Sequence, residues 1–274
     1  MRILFTGDWQ ARVDNLDRCR LVVDQIIGLV KRFKEPCAVV HLGDIKDAMN
    51  PVDQRVTNFI LESSQHIVRE AFCFAFVRGN HDSITTQDGV PSCVPVVHAA
   101  NVVVADGDWR LLELGYEILL WMVPYFRDSA RQKKAFAEAA KDAQQKKYHD
   151  KVRILAFHNE VTGCERSAYS QGTGLTLDEV GTSAYSLCVS GHIHRPQIVY
   201  RPSSLRGVGN PQADPSGRVL AIPSHQGTAS YSMHARADGA VPIPGAVYFV
   251  GSPFAVDWGE CNEQKRFLVL EIQQ

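Results

Sequence analysis

Arg2–Gln10 reads R-I-L-F-T-G-D-W-Q, a short apolar run entering a glycine loop that carries polar side chains, and the same pattern returns twice before residue 83. Cys37–Leu42 leads into G-D-I-K-D at Gly43–Asp47, and Phe72–Val77 leads into R-G-N-H-D at Arg78–Asp82. Between these runs lie two segments with helical spacing. Asp14–Phe33 repeats Leu16, Val22, Val23, Ile26, Ile27 and Val30, and Val52–Arg69 repeats Val56, Phe59, Ile60, Ile67 and Val68. Pro51 suits a first helical turn, where its missing N–H costs nothing. Apolar strands alternating with helices imply a parallel sheet buried on both faces, with ligands gathered at the carboxyl ends of the strands.

Beyond residue 95 the pattern changes. Val102–Ala105, Trp109–Leu114 and Glu117–Val123 read as strands joined by tight turns at A-D-G-D (105–108) and Gly115. An alanine-rich helix is expected over Arg127–Tyr148. Val152–Phe157 is a strand ending in H-N-E-V-T-G (158–163), and Ser186–Val189 is a strand ending in S-G-H-I-H (190–194). Ala246–Val250, the G-S-P of 251–253 and a strand at Arg266–Ile272 close the chain. The stretch 195–245 is rich in proline and glycine and reads as a long loop excursion with short strands. The expectation is one domain over residues 1–274, of α/β (α+β) class: a two-layer β-sandwich flanked by helices.

Composition narrows the function. Apolar residues are 45% and charged residues 22%, ordinary for a soluble globular protein. The 29 basic and 30 acidic side chains nearly cancel, so a phosphate-rich partner must be held by local clusters or metals rather than by overall charge. Seven scattered cysteines with no C-x-x-C argue against a disulfide framework or a thiolate zinc site. They read as buried free thiols of a reducing compartment. The N-terminal apolar run is short for a signal peptide, and no apolar stretch nears the roughly 20 residues of a membrane span. A cytoplasmic protein with no membrane partner is expected.

Five loops, each after an expected strand, carry Asp8 and Gln10, then Asp44, then Asn80 and His81, then His158, then His192 and His194. Each alone has an ordinary explanation. G-D after a strand is often a turn or a helix cap, and a lone histidine is more often a satisfied side chain than a ligand. Together they put oxygen and imidazole donors where such a sheet collects its active site. With no thiolate among them, the set points to Mn, Fe, Zn or Mg. The H-x-H pair aims two imidazoles at neighbouring points, which fits two metals sharing a carboxylate.

The order D-x-(H), G-D-x-x-D, G-N-H-D, H, G-H-x-H, running from Asp8 to His194 and on to G-S-P, resembles the calcineurin-like metallophosphoesterases. Four features are most similar to the SbcD-type DNA repair nucleases: G-D-W at 7–9, V-P-Y at 123–125, G-H-I-H-R-P-Q at 191–197 and G-S-P-F-A-V-D-W-G-E at 251–260. The resemblance implies two divalent cations, Mn²⁺ first among them. Asp8, position 10, Asp44 and His194 would hold one cation. Asp44 would bridge to a second that Asn80, His158 and His192 complete. His81 would face the scissile phosphate as a catalytic group rather than a ligand. The implied reaction is phosphodiester hydrolysis by hydroxide attacking in line, on DNA, as an exonuclease or endonuclease.

Position 10 departs from this pattern, being Gln where the family usually has His. An amide oxygen is the weaker donor and suits harder ions, so the first site is expected to be loose or to fill with substrate. Arg78, Arg195, Tyr200 and Arg201 are candidate substrate contacts, since cations mixed with aromatics suit a nucleic-acid strand. The basic helix at 131–153 reads equally as a solvated face. The resemblance also brings an ATPase partner of the SbcC type and a homodimer into view. The sequence stops soon after its last strand, before the usual cap and partner-binding segment, so the expectation is either that the protein works without that ATPase or that the 195–245 excursion replaces the cap. A small-molecule phosphatase or cyclic-nucleotide phosphodiesterase is the alternative, and a non-catalytic nucleic-acid-binding subunit is a third reading.

Overall fold

The apolar runs become strands buried on both faces. In β1 (Arg2–Thr6), Ile3 and Phe5 face one core while Leu4 faces another, and all three are fully buried. The computed structural model describes residues 1–47, 52–83, 102–115, 117–167, 170–200, 232–235, 243, 245–255 and 267–273. β1, β2 (Cys37–His41), β3 (Cys73–Val77) and β4 (Val102–Ala105) lie side by side in parallel. β14 (Leu268–Gln273) and then β12 (Ser232–Ala235) extend this sheet antiparallel beyond β1.

The second sheet has the order β11 (Gln197–Val199), β13 (Val247–Phe249), β10 (Leu187–Ser190), β7 (Val152–Phe157), β6 (Ile118–Val123), β5 (Arg110–Glu113). Its four central strands are parallel and its two edges antiparallel. Val40, Ala75 and Val77 of the first sheet share one core with Leu120, Met122, Ala156 and Val189 of the second. The expected sandwich is the fold, and helices cover both outer faces.

On the first sheet lie α1 (Leu16–Arg32) and α2 (Gln54–Glu70), burying Val23, Ile26, Ile27, Phe59 and Ile60 against Leu4, Val39, Phe74 and Phe76. Each such side chain contributes about 1.5–3 kcal/mol when fully buried. On the second sheet, α3 (Ser129–Ala143) packs Ala135, Phe136 and Ala139 against Trp121, Leu155 and Phe157. Every parallel strand of both sheets therefore has two apolar faces, which is why none shows a polar alternation.

Some boundaries differ from the sequence reading. Pro51 lies outside the described residues; the start of α2 is set by Asp53, whose carboxylate accepts from the Arg55 N–H at 2.8 Å. α3 stops at Ala143, because Gln145 is extended and only a short 3-10 turn, Lys146–Tyr148, follows. The hairpin β8 (Glu165–Ser167) and β9 (Ser170–Gln171) and the short α4 (Leu177–Val180) were not anticipated. α4 carries a legible signal, the capping box Thr176–Glu179. Cys19, Cys37, Cys73, Cys164 and Cys188 are free thiols as expected, and Cys93 and Cys261 lie outside the described residues. Among the described residues no helix is long and apolar enough to cross a membrane.

Candidate metal centre

Five parallel strands, β1, β2 and β3 of one sheet and β7 and β10 of the other, end at the same edge of the sandwich, and the five loops that follow them meet there. The first two are laced together: the N–H groups of Asp8, Gln10 and Ala11 donate to the carbonyls of Gly43, Asp44 and Ile45 at 2.9–3.0 Å. This pairing holds Asp8, Gln10 and Asp44 at φ of 52°, 43° and 55°, and His192 sits at 76°. These four are the non-glycine residues with positive φ among those described. Such backbone costs about 1–3 kcal/mol per residue and persists where surrounding bonds fix it, typically at functional sites.

The glycines of the motifs let the loops approach. A Cβ on Gly79 would stand 2.2 Å from Asp44 Oδ1, and one on Gly191 2.6 Å from the Leu42 carbonyl and 2.9 Å from His158 Nδ1. Asp82, to which the sequence reading gave no role, ties two of the loops. One of its oxygens accepts from the N–H groups of Asp44 and Gly79, both at 2.7 Å, and the other from Ile45 N–H at 3.0 Å. Its place as the last residue of G-N-H-D was the available signal. On the far side, G-S-P supports His194, whose carbonyl accepts from Ser252 N–H at 3.0 Å.

Around Asp44 the donor atoms crowd. His158 Nε2 is 3.3 Å from Asp44 Oδ2, 3.0 Å from Asn80 Oδ1 and 3.3 Å from His192 Nδ1, and His192 Nδ1 is 2.9 Å from Asn80 Oδ1. His158 Nδ1 is 2.6 Å from the Leu42 carbonyl, so Nδ1 carries the hydrogen and the Nε2 lone pair points into the cluster. Ligands bound to one ion at about 2.1 Å are themselves about 3.0–3.4 Å apart, the spacing seen here. Asp44, His158 and His192 form a group able to hold an ion.

The second half of the site contains Asp8, fully buried. Its Oδ1 accepts from His192 N–H at 3.0 Å, and its Oδ2 has no hydrogen-bond partner among the described residues. A buried carboxylate oxygen with no donor is costly, and a cation removes the cost. Gln10 is 5% exposed, and its amide Nε2 is 3.0 Å from His194 Nε2. The structure thus places Gln10 beside its expected co-ligand, with an N–H rather than an oxygen turned to it. The donors around Asp44 fit a divalent cation, and the partnerless Asp8 oxygen is a further point at which positive charge would be stabilised.

Electrostatics agree. Burial pushes Asp8 up to about 6, against the pull of His158 and His194. Asp44 is also opposed by burial, but His158 and His81 hold it below the usual carboxylate range. For His158, burial opposes the charge and the carboxylates Asp44 and Asp8 outweigh it, raising it to about 9. Burial and the charge of His158 lower His192 to about 3, leaving it neutral, as a ligand must be. An anion-rich pocket that recruits a proton onto His158 is one that a cation would occupy in its stead.

His81 stands at the rim. Its backbone N–H donates to Asp44 Oδ1 at 2.9 Å, its Nδ1 is hydrogen-bonded to the Asp47 carbonyl, and its Nε2 is 4.0 Å from Asp44 Oδ2. The side chain is 35% exposed. It is therefore reachable by a substrate, and Nε2 is the atom that can face one. Lys46, buried and also unanticipated, holds the loop by donating to the His81 carbonyl.

The expected substrate contacts fare differently. Arg78 is not at the surface: it is 1% exposed, its guanidinium donating to Ser83 Oγ at 3.0 Å and to the Tyr125 carbonyl. A planar five-donor group can satisfy several loop acceptors at once, and the sequence showed only its charge. Arg195 is 42% exposed and pairs with Glu165, while Tyr200 packs against the inter-sheet core. Arg201 lies outside the described residues.

A family model described as calcineurin-like phosphoesterase matches residues 1–196, a span that holds all five ligand loops. The chain is also similar to a protein of invertebrate iridescent virus 3 named "Putative phosphoesterase 078R", at 26% identity over 210 residues. That match covers 74% of this chain and 56% of the viral protein, so the chain spans little more than half the length of that relative.

Proposed function

Since the chain belongs to the calcineurin-like phosphoesterase family, we propose that it is a phosphodiester hydrolase working with two divalent cations, with DNA as its substrate. The observation that carries the reading is the cluster of Asp44, Asn80, His158 and His192, in which His158 Nε2 lies 3.0–3.3 Å from the other three and His192 Nδ1 2.9 Å from Asn80, with no thiolate among them. Asp8, Asp44, His194 and the Gln10 amide would hold one cation; Asp44, Asn80, His158 and His192 would hold the other. When bound, such a pair supplies Lewis acidity toward the phosphoryl oxygens and makes water acidic enough to attack.

The chain's own residues orient and protonate. Asp82 and the paired loops after β1 and β2 fix Asp44 between the two ligand groups. Leu42 fixes the tautomer of His158. His81, whose Nδ1–H donates to the Asp47 carbonyl, would present Nε2 to a phosphate oxygen or to the departing oxygen, and when both ring nitrogens are protonated it can pass the Nε2 proton there. DNA as the substrate is supported by the resemblance of V-P-Y, G-H-I-H-R-P-Q and G-S-P-F-A-V-D-W-G-E to the SbcD-type nucleases.

A second reading, a diesterase for small nucleotides, is favoured by one observation. Several cations near the site or on α3 are paired with acids rather than presented as a phosphate track: Arg166 with Glu160, Arg195 with Glu165, Lys133 with Glu179. Hydrolysis of single- and double-stranded DNA in Mn²⁺, with product sizing, beside bis(p-nitrophenyl) phosphate, separates the two. Cleavage of the chromogenic diester with DNA left intact would remove the nuclease assignment and keep the diesterase.

A further inference from the structure

Along Ile118–Phe126 every side chain is buried except that of Tyr125. An aromatic ring left partly open at the end of an otherwise sealed run needs a reason, and its neighbours supply one. The ring lies nearly parallel to the His192 imidazole, 24° between planes with centroids 6.1 Å apart, and edge-on to His158 at 6.4 Å. Tyr125 therefore lies, with its ring partly open, beside two of the candidate ligand histidines.

Its position is fixed from the other side by Arg78. The Tyr125 N–H donates to the Arg78 carbonyl at 2.9 Å, and the Arg78 guanidinium donates back to the Tyr125 carbonyl. The same guanidinium bonds Ser83 Oγ, lies 3.4 Å from the Asp106 carboxylate and sits over the Phe126 ring. A buried arginine with this many partners joins the loop that carries Asn80 and His81 to the one that carries Tyr125. His192 does not require the tyrosine for its own orientation, since Asn80 engages its Nδ1 and Asp8 its backbone N–H.

We infer that Tyr125 is a substrate-recognition residue: its ring stacks against the nucleobase of the nucleoside esterified to the scissile phosphate. An aromatic face accepts any base, so the residue would confer a preference for nucleoside esters over alkyl esters without selecting a sequence. The inference rests on the diesterase reading above.

The test uses the full chain loaded with Mn²⁺, as wild type, Tyr125→Phe and Tyr125→Leu. The substrates are thymidine 5′-(p-nitrophenyl phosphate) and methyl p-nitrophenyl phosphate, which share a leaving group and differ in the base. Calorimetric binding of thymidine monophosphate supplies a readout independent of turnover. Tyr125→Leu is expected to raise KM for the thymidine ester about 5- to 150-fold, the range of one base–aromatic stack, with kcat and the methyl ester unchanged. Tyr125→Phe should keep the wild-type preference, and thymidine monophosphate affinity should fall in the Leu variant alone. Equal effects on both esters, or loss of a metal ion from the Leu variant, would overturn the inference by making Tyr125 a support for His192. If wild type binds the nucleotide in a Tyr125-dependent way yet cleaves neither ester, the diesterase reading fails and the stacking role stands.

Discussion

Gly79→Ala alters no ligand, yet it is expected to dismantle the metal centre. An added Cβ would stand 2.2 Å from Asp44 Oδ1 and 2.6 Å from Asp44 N, where ordinary contacts begin near 3.4 Å. The loops after β2 and β3 must then separate by about 1 Å. Overpacking of that kind costs about 1–3 kcal/mol. The movement also strains the paired 2.7 Å bonds from Gly79 and Asp44 N–H to the Asp82 carboxylate, each worth about 1.5–3 kcal/mol as a bond to a charged group. Partial loss of one brings the total to about 2–5 kcal/mol. At about 2–4 °C per kcal/mol for a chain of this size, the melting temperature should fall by about 4–20 °C. Thermal melts with and without Mn²⁺, run beside a metal titration, read both consequences. The metal-dependent rise in melting temperature should shrink, because the displaced Asp44 no longer serves both cations. A variant melting within 1 °C of wild type and binding metal normally would refute the close packing of the two loops.

Other substitutions probe separate parts of the account. Gly28→Ala, at an α1 position where a Cβ meets nothing within 4 Å, should stabilise the protein by about 0.5–1 kcal/mol through helix propensity, seen as a small rise in the urea midpoint. Gln10→His should convert the looser cation site into a tight one and widen metal use toward Zn or Fe; calorimetry should show unequal Mn²⁺ sites before the change and similar ones after, and two equally tight sites in the wild type would count against a ligand role for Gln10. His81→Ala should lower kcat about 10²- to 10⁴-fold with both cations retained, whereas loss of an ion on metal analysis would make His81 a ligand.

The site was more legible than its supports. Asp8, Asp44, Asn80, His158, His192 and His194 were readable because each follows an apolar run, all but His158 close to a glycine, and glycine after a strand marks a place where loops can touch. Gln10 was readable as a departure, but the turn of its amide N–H toward His194 belongs to the packed structure alone. Arg78 was read from its charge as a candidate substrate contact, and its burial against Ser83 and the Tyr125 carbonyl could not be seen until the fold brought those loops together. Asp82 and Lys46 were passed over for the same reason: their partners are backbone groups of loops remote in sequence, Asp44 N–H for one and the His81 carbonyl for the other. The sandwich followed from apolar strands buried on both faces, while the β8–β9 hairpin escaped notice because strands this short carry almost no periodicity.

The most direct test is the Mn²⁺-dependent hydrolysis of bis(p-nitrophenyl) phosphate by wild type and by Asp44→Ala, compared at equal folded concentration. Asp44 meets His158 at 3.3 Å and also anchors the His81 backbone, and in the proposed assignment it is the carboxylate that would serve both ligand groups. The account predicts turnover by wild type that disappears on chelation and is absent from Asp44→Ala at saturating Mn²⁺. Near-wild-type hydrolysis by Asp44→Ala would contradict it.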